Sequence, residues 1–120
     1  MIKGTLEKRF NQNRNGIWWL QINGSVEPEA FPLMSAIEDN TLLQKFVSAQ
    51  EQQLVIDLTT LEEFDSRGLQ VLLMLHKQFT PQNIQVTLRN PNPYLSRIFR
   101  ITQFDRFFPV EYEEGYSSDD

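Results

Sequence analysis

Leu54-Val55-Ile56-Asp57-Leu58 is the stretch that most limits how this chain can fold. Its length suits a strand, and its lack of polar alternation implies burial on both faces, as in an inner strand of a sheet. Thr59 to Asp65 follows as a loop. Ser66 to Phe79 then carries Leu69, Leu72, Leu73 and Phe79 along one helical stripe, with Val71, Met74 and Leu75 beside it, up to the break at Pro81. A buried strand opening through a short loop into a long helix calls for a sheet with helices layered on it.

The flanking segments agree with that architecture. Ile2 to Phe10 and Ile17 to Ile22 read as a hairpin, with Asn15-Gly16 able to adopt the positive φ angles of its turn and Trp18 and Leu20 alternating with Trp19 and Gln21. From Glu27 to Gln50 the spacing becomes helical, and Pro32 and Glu38-Asp39-Asn40-Thr41 divide it into a short helix and a longer one that Asn40 or Thr41 can cap. Ile84 to Leu88 alternates as another strand. Asn92 can cap a helix with Pro93 at its first position, running to about Thr102 with Leu95, Ile98 and Phe99 inward. Phe107-Phe108-Pro109-Val110 supplies a last extended piece near the sheet edge. The expected fold is α/β: a single-domain mixed β-sheet with crossover helices packed against it.

A chain of 120 residues suits one core, and residues 113–120 hold too little apolar content to extend it, so the domain is expected to span 1–112 with a disordered acidic tail. No apolar run approaches the roughly 18–20 residues that span a bilayer, and Met1 to Glu7 lacks a signal or transit pattern, which predicts cytoplasmic residence without membrane insertion. There is no cysteine and a single histidine, His76, so thiolate and histidine-rich metal sites are excluded and no cofactor is implied. A net charge of −5 opposes direct nucleic-acid binding and favours a protein partner.

Ser66 stands after Asp65 and two residues before Gly68, just past the buried strand. These three residues alone read equally well as a helix cap, with Gly68 allowing close packing, and as an exposed functional serine. The longer segment decides between them: from Leu54 to Leu69 it resembles the signature of STAS domains, a hydrophobic strand ending in Asp-Leu and then Asp-Ser-x-Gly-Leu at the start of a helix. Asp57, Asp65, Ser66, Gly68 and Leu69 occupy those positions. Leu20 to Glu27 is similar to the family's strand and Gly turn, Pro93 to Ile101 to its last helix, and Phe104 to Phe108 to the stretch that follows, so the resemblance covers about residues 4–112.

The nearest family members on this pattern antagonise anti-sigma factors. The resemblance implies that Ser66 is the acceptor of a phosphate transferred by an anti-sigma factor serine kinase, that the unphosphorylated protein binds this kinase and the phosphorylated one releases it, and that a serine phosphatase resets the switch. It implies a partner-binding surface built from Asp65, Ser66, Arg67 and Gly68 with Gly24, Glu27, Asp57 and Thr59. An interaction subunit of a transporter or stress-signalling scaffold is the alternative within the same fold. The sequence departs from the pattern at Arg67, where a small residue or second serine is usual, at Glu27, where Asp is commoner, in the length of 29–53, and at Gln103, which replaces a glycine.

Enzymatic readings fit less well. His76 lies ten positions beyond Ser66 on the same expected helix, about 15 Å along its axis at about 1.5 Å per residue, and no Gly-x-Ser-x-Gly elbow occurs. His76 is read as a surface or capping residue. Asp57 reads as ending its strand and steadying the next loop rather than as a phosphoacceptor, and no Gly-rich phosphate loop is present, so any ATP belongs to the partner. Val71 and Met74 read as core, with an exposed partner patch as the alternative.

Overall fold

Side chains of successive strand residues point to opposite sides of a pleated sheet, and here the two sides differ in kind. In the hairpin formed by β1 (Lys3–Phe10) and β2 (Gly16–Ile22), Gly4, Leu6 and Lys8 pair with Ile22, Leu20 and Trp18 on one face, while Glu7 and Thr5 pair with Trp19 and Gln21 on the other. The computed structural model describes residues 3–10, 16–22, 30–59, 61 and 66–113. Of the turn expected at Asn11 to Gly16 only Gly16 lies within them, as the first residue of β2, and the Gly24 turn lies outside them.

The remaining elements are β3 (Phe31–Pro32), α1 (Leu33–Glu38), α2 (Thr41–Ser48), β4 (Gln53–Asp57), α3 (Ser66–Phe79), β5 (Gln85–Arg89), α4 (Pro93–Ile101) and β6 (Val110–Glu111), with short 3-10 turns at Thr80–Gln82 and Phe104–Arg106. The sheet order is β3-β1-β2-β4-β5-β6. β1 runs antiparallel to β2 and β3, and β2, β4, β5 and β6 are parallel neighbours, giving the expected mixed sheet. β3 was not expected from the sequence: two residues carry no period, and only pairing with Lys3 and Gly4 makes them a strand. Gly4 is buried there, and a Cβ on it would come within 3.1 Å of Leu20 Cδ1 and 3.3 Å of the Phe31 ring, so its missing side chain lets β3 close on the hairpin.

One face carries the core. Leu20, Leu54, Ile56, Val86 and Leu88 join a buried cluster with residues of all four described helices, among them Ile37, Phe46, Leu72 and Phe99. Phe46 of α2 is fully buried in it, its ring 5.2 Å from that of Phe79 and 6.3 Å from that of Trp18. Val71 is fully buried, which removes it from any surface patch, and Met74 is half-buried against the same cluster.

Val55 on the other face is also buried, as the apolar run requires, but it stands outside that cluster. Its cross-strand neighbours are Trp19 and Thr87. Trp19 is bracketed by two guanidinium groups, Arg9 at 4.0 Å and Arg89 at 5.3 Å from its ring centroid. Flat side chains laid over the strands thus contribute to the cover on this face, with cation–π attraction holding them in place.

Helix boundaries follow local chemistry with one correction. Asn92 caps α4 as expected, its Oδ1 accepting from the Leu95 N–H at 2.8 Å. At α2 neither Asn40 nor Thr41 accepts the capping bond. Asn40 adopts a left-handed conformation (φ 65°), and the Asp39 carboxylate accepts from the Thr41 N–H at 3.0 Å and from its hydroxyl at 2.8 Å. A carboxylate one residue earlier accepts both donors and carries the negative charge that a helix start favours.

Gln103 follows α4 with φ 64° and ψ 21°, a conformation that costs L-residues roughly 1–2 kcal/mol and glycine almost nothing. The glycine of the family pattern at this position therefore has a backbone reason. Gln103→Gly is expected to unfold at a higher urea concentration than Gln103→Val, with the two variants separated by about 1–2 kcal/mol because a β-branched side chain is the least tolerant of positive φ. Equal midpoints would contradict this account of the turn.

Candidate functional site

The carboxyl ends of β4 and β5 meet where the chain leaves the sheet towards α3. Leu58 N–H donates to Arg89 O at 2.9 Å, extending the β4–β5 ladder one residue beyond Asp57. Asp57 then folds the chain over itself: its Oδ1 accepts from the Thr59 N–H at 3.1 Å and from the Thr59 hydroxyl at 2.6 Å, a local arrangement that aspartate offers at turns. Its Oδ2 accepts from Gln21 Nε2 at 3.3 Å and Arg9 Nη2 at 3.4 Å, which ties the turn to β2 and β1.

Asp57 is 6% exposed. Burial pushes its pKa upward, but the Thr59 hydroxyl and N–H, Gln21 and Arg9 together outweigh that and hold the carboxyl below its ordinary 3.8. The carboxylate therefore stays ionised and acts as a fixed acceptor, as expected of the residue that ends this strand. It points to the face of the sheet away from the helices, so its bearing on the Ser66 region runs through Thr59.

A second fastening comes from the turn after β5. Asn90 is 1% exposed with φ 57°. Its Nδ2 donates to Thr59 Oγ1 at 3.1 Å and to Glu113 Oε2 at 3.3 Å, and its Oδ1 accepts from the Glu113 N–H at 2.7 Å. Asn92, besides capping α4, donates through Nδ2 to Leu61 O at 3.3 Å. Thr59 and Leu61 are thus both held from the β5–α4 turn.

α3 begins at Ser66, the residue expected to open it. Ser66 and Arg67 are exposed and Gly68 is buried, so the helix presents its first two side chains to solvent and turns its third residue inward. The first-turn N–H groups of a helix have no acceptor within it, and 14 residues of aligned peptide dipoles make this end favourable for negative charge. Of the residues expected to form the site, Ser66, Arg67 and Gly68 are contiguous at the helix start, and Asp57 and Thr59 are bonded to each other at the strand end. Asp65, Gly24 and Glu27 lie outside the described residues.

Arg9, Gln21 and Asn90 were not picked out from the sequence. The only local sign was Asn90-Pro91-Asn92 itself, a turn-forming tripeptide. His76, expected as a surface or capping residue, is instead half-buried with its ring packed edge-on 5.5 Å and 5.2 Å from those of Phe107 and Phe108. Among the described residues no group of His, Cys, Asp and Glu could hold a metal ion, and no helix is long and apolar enough to cross a membrane.

A model of the STAS domain family matches residues 32–116. The chain belongs to the STAS domain family. BtrV of Bordetella bronchiseptica, described as an anti-sigma factor antagonist, is 33% identical over 64 residues, 53% of this chain and 55% of the relative. The chain thus spans about half the length of the curated relative it matches. A solved anti-sigma-factor antagonist (STAS) domain protein from Planctomyces limnophilus shares the fold, with a TM-score of 0.57 at 19% identity over 90% of each chain. The family read from the stretch Leu54 to Leu69 and the α/β architecture are both borne out.

The Asp57 network sets an acid limit. A carboxyl whose folded-state pKa is lowered contributes stability above its unfolded value of 3.8, and that contribution is lost as pH falls through the lowered value. Asp57→Asn is expected to cost about 1.5–3 kcal/mol at neutral pH, the range of hydrogen bonds to charged groups. Urea unfolding at a series of pH values should show the gap to the native protein narrowing below about pH 4, and a gap independent of pH would exclude the charge as its source.

Proposed function

We propose that this protein is an anti-sigma factor antagonist, a non-enzymatic phospho-switch in the cytoplasm whose regulated residue is Ser66. The observation that carries the reading is the exposed serine at the first position of α3, within the family's Asp-Ser-x-Gly-Leu pattern. Unphosphorylated, it binds an anti-sigma factor serine kinase and so frees a sigma factor. The kinase, supplying its own ATP, transfers the terminal phosphoryl group to the Ser66 oxygen and the complex parts. A serine phosphatase removes the group.

Charge is the operative change. Phosphorylation adds about −1.5 to −2 charges to a small neutral side chain. Two like unit charges about 4 Å apart repel by on the order of 4 kcal/mol at an effective dielectric constant of about 20, before salt screening. A difference of about 1.4 kcal/mol already changes affinity tenfold. The start of α3 offsets only part of this, typically under about 1 kcal/mol at an exposed position. A partner surface shaped to a neutral serine is therefore disfavoured after phosphorylation. Arg67, exposed beside Ser66, gives this protein a cation where the family usually has a small residue, and a guanidinium can form charge-assisted bonds with a phosphate.

Incubation with candidate anti-sigma kinases and ATP, followed by mass spectrometry, is expected to place phosphate on Ser66. Phosphate confined to another residue would refute the assignment. Ser66→Ala should retain kinase binding, and Ser66→Asp should weaken it by about tenfold or more, as roughly 1.4 kcal/mol of repulsion requires. Equal affinity of the two variants would count against the charge mechanism.

A further inference from the structure

Thr59 and Leu61, between β4 and α3, are held from outside their own strand and helix. Thr59 is exposed, yet its hydroxyl lies in a directed chain: Asn90 Nδ2 donates to Thr59 Oγ1, which donates to the Asp57 carboxylate. Asn92 Nδ2 takes the Leu61 carbonyl two residues on. Asn90 in turn is clasped by Glu113 through both its amide oxygen and its amide nitrogen. Glu113 lies just past β6, and the backbone pairing of Asn90 N–H with Glu111 O at 2.9 Å keeps the two stretches side by side.

We propose that Asn90 is a positioning residue for Thr59 and, with Asn92, for Leu61, on the approach to the phosphoacceptor Ser66, and that Glu113 sets how firmly it holds, so that the stretch just after β6 is a control point for the presentation of Ser66. The physical basis is the burial of Asn90. A side-chain amide with two N–H donors and one carbonyl acceptor, shielded from water, exchanges partners only at a cost. Its left-handed backbone, a conformation asparagine tolerates better than most residues, aims that amide at Thr59 and Glu113 together. A partner or a modification that draws Glu113 away leaves the Asn90 amide short of a partner and loosens Thr59. The role of the segment as a switch rests on the function proposed above, whereas the fastening itself does not.

Amide exchange followed by NMR on the full chain separates the two. The Thr59 and Leu61 amides donate to Asp57 Oδ1 and to Leu58 O, so they report directly on the held segment. Asn90→Gly keeps the left-handed backbone and removes every side-chain bond. It is expected to speed exchange at Thr59 and Leu61 about tenfold, well beyond any change in β2. Glu113→Ala, at an exposed position, should act in the same direction by a few-fold, and Glu113→Gln, which keeps an acceptor oxygen, should stay near the native rate. A rise at Thr59 and Leu61 no larger than in β2 overturns the proposal, because it marks general loosening. With a kinase that modifies Ser66, the kcat/KM for phosphorylation of Asn90→Gly should fall several-fold, and an unchanged value overturns the positioning role. A native protein that no kinase modifies, with exchange as expected, removes the switch and leaves the fastening.

Discussion

β4 must bury both of its faces in a sheet whose described helices all contribute to the core on one side, and the other features of the domain answer to that constraint. On the helix side the solution is ordinary: Leu54 and Ile56 face rings and branched chains, and Phe46 and Phe79 fill the space between layers. On the opposite side the strand meets Trp19, with Arg9 and Arg89 stacked on its ring. The same arginine that lies on Trp19 also reaches Asp57. Cover for the apolar part of the strand and compensation for its terminal charge therefore come partly from one side chain. Replacing such an arginine by lysine would not be conservative, since an ammonium lacks the planar fork that stacks and bonds at once.

What the sequence disclosed and what it concealed divide along the range of the interaction. α3 runs from Ser66 to Phe79, the limits that its apolar spacing predicts, because each determinant lies within a turn or two of the residue it affects. The Asn92 cap is equally local. The cap of α2 shows how local rules can still misplace a bond: three polar residues in succession offer similar donors and acceptors, and the left-handed twist at Asn40 hands the role to Asp39. Arg9 and Asp57 are separated by 48 positions, and their meeting follows only from the sheet order. No periodicity encodes that. Asn90 was hidden for the same reason, its partners being 31 positions before it and 23 after.

The candidate site was legible in part. Its signature is contiguous in the chain, so Ser66, Arg67 and Gly68 could be named without coordinates, and the strand-ending role of Asp57 could be inferred from its place. The support around Thr59 could not, because it is assembled from β1, β2, the β5–α4 turn and the residues after β6. A protein that signals through one small hydroxyl, the role proposed for Ser66, needs that hydroxyl at a fixed place relative to a rigid frame. Here the frame reaches the segment before Ser66 through hydrogen bonds to Thr59 and Leu61 rather than through apolar packing alone.

The adjacent tryptophans of β2 point to opposite sides of the sheet. Trp18 faces Phe46 and the Lys45 ammonium, 4.9 Å from its ring, and Trp19 lies between two guanidinium groups. Neighbours in the chain thus occupy different optical environments, one tied to the helical layer and one to the arginine-clad face. Indole emission responds to nearby charge and to access of water, so the protein carries two built-in reporters separated by the thickness of a single strand. Replacing either one by phenylalanine leaves a light signal that belongs to one side of the molecule alone.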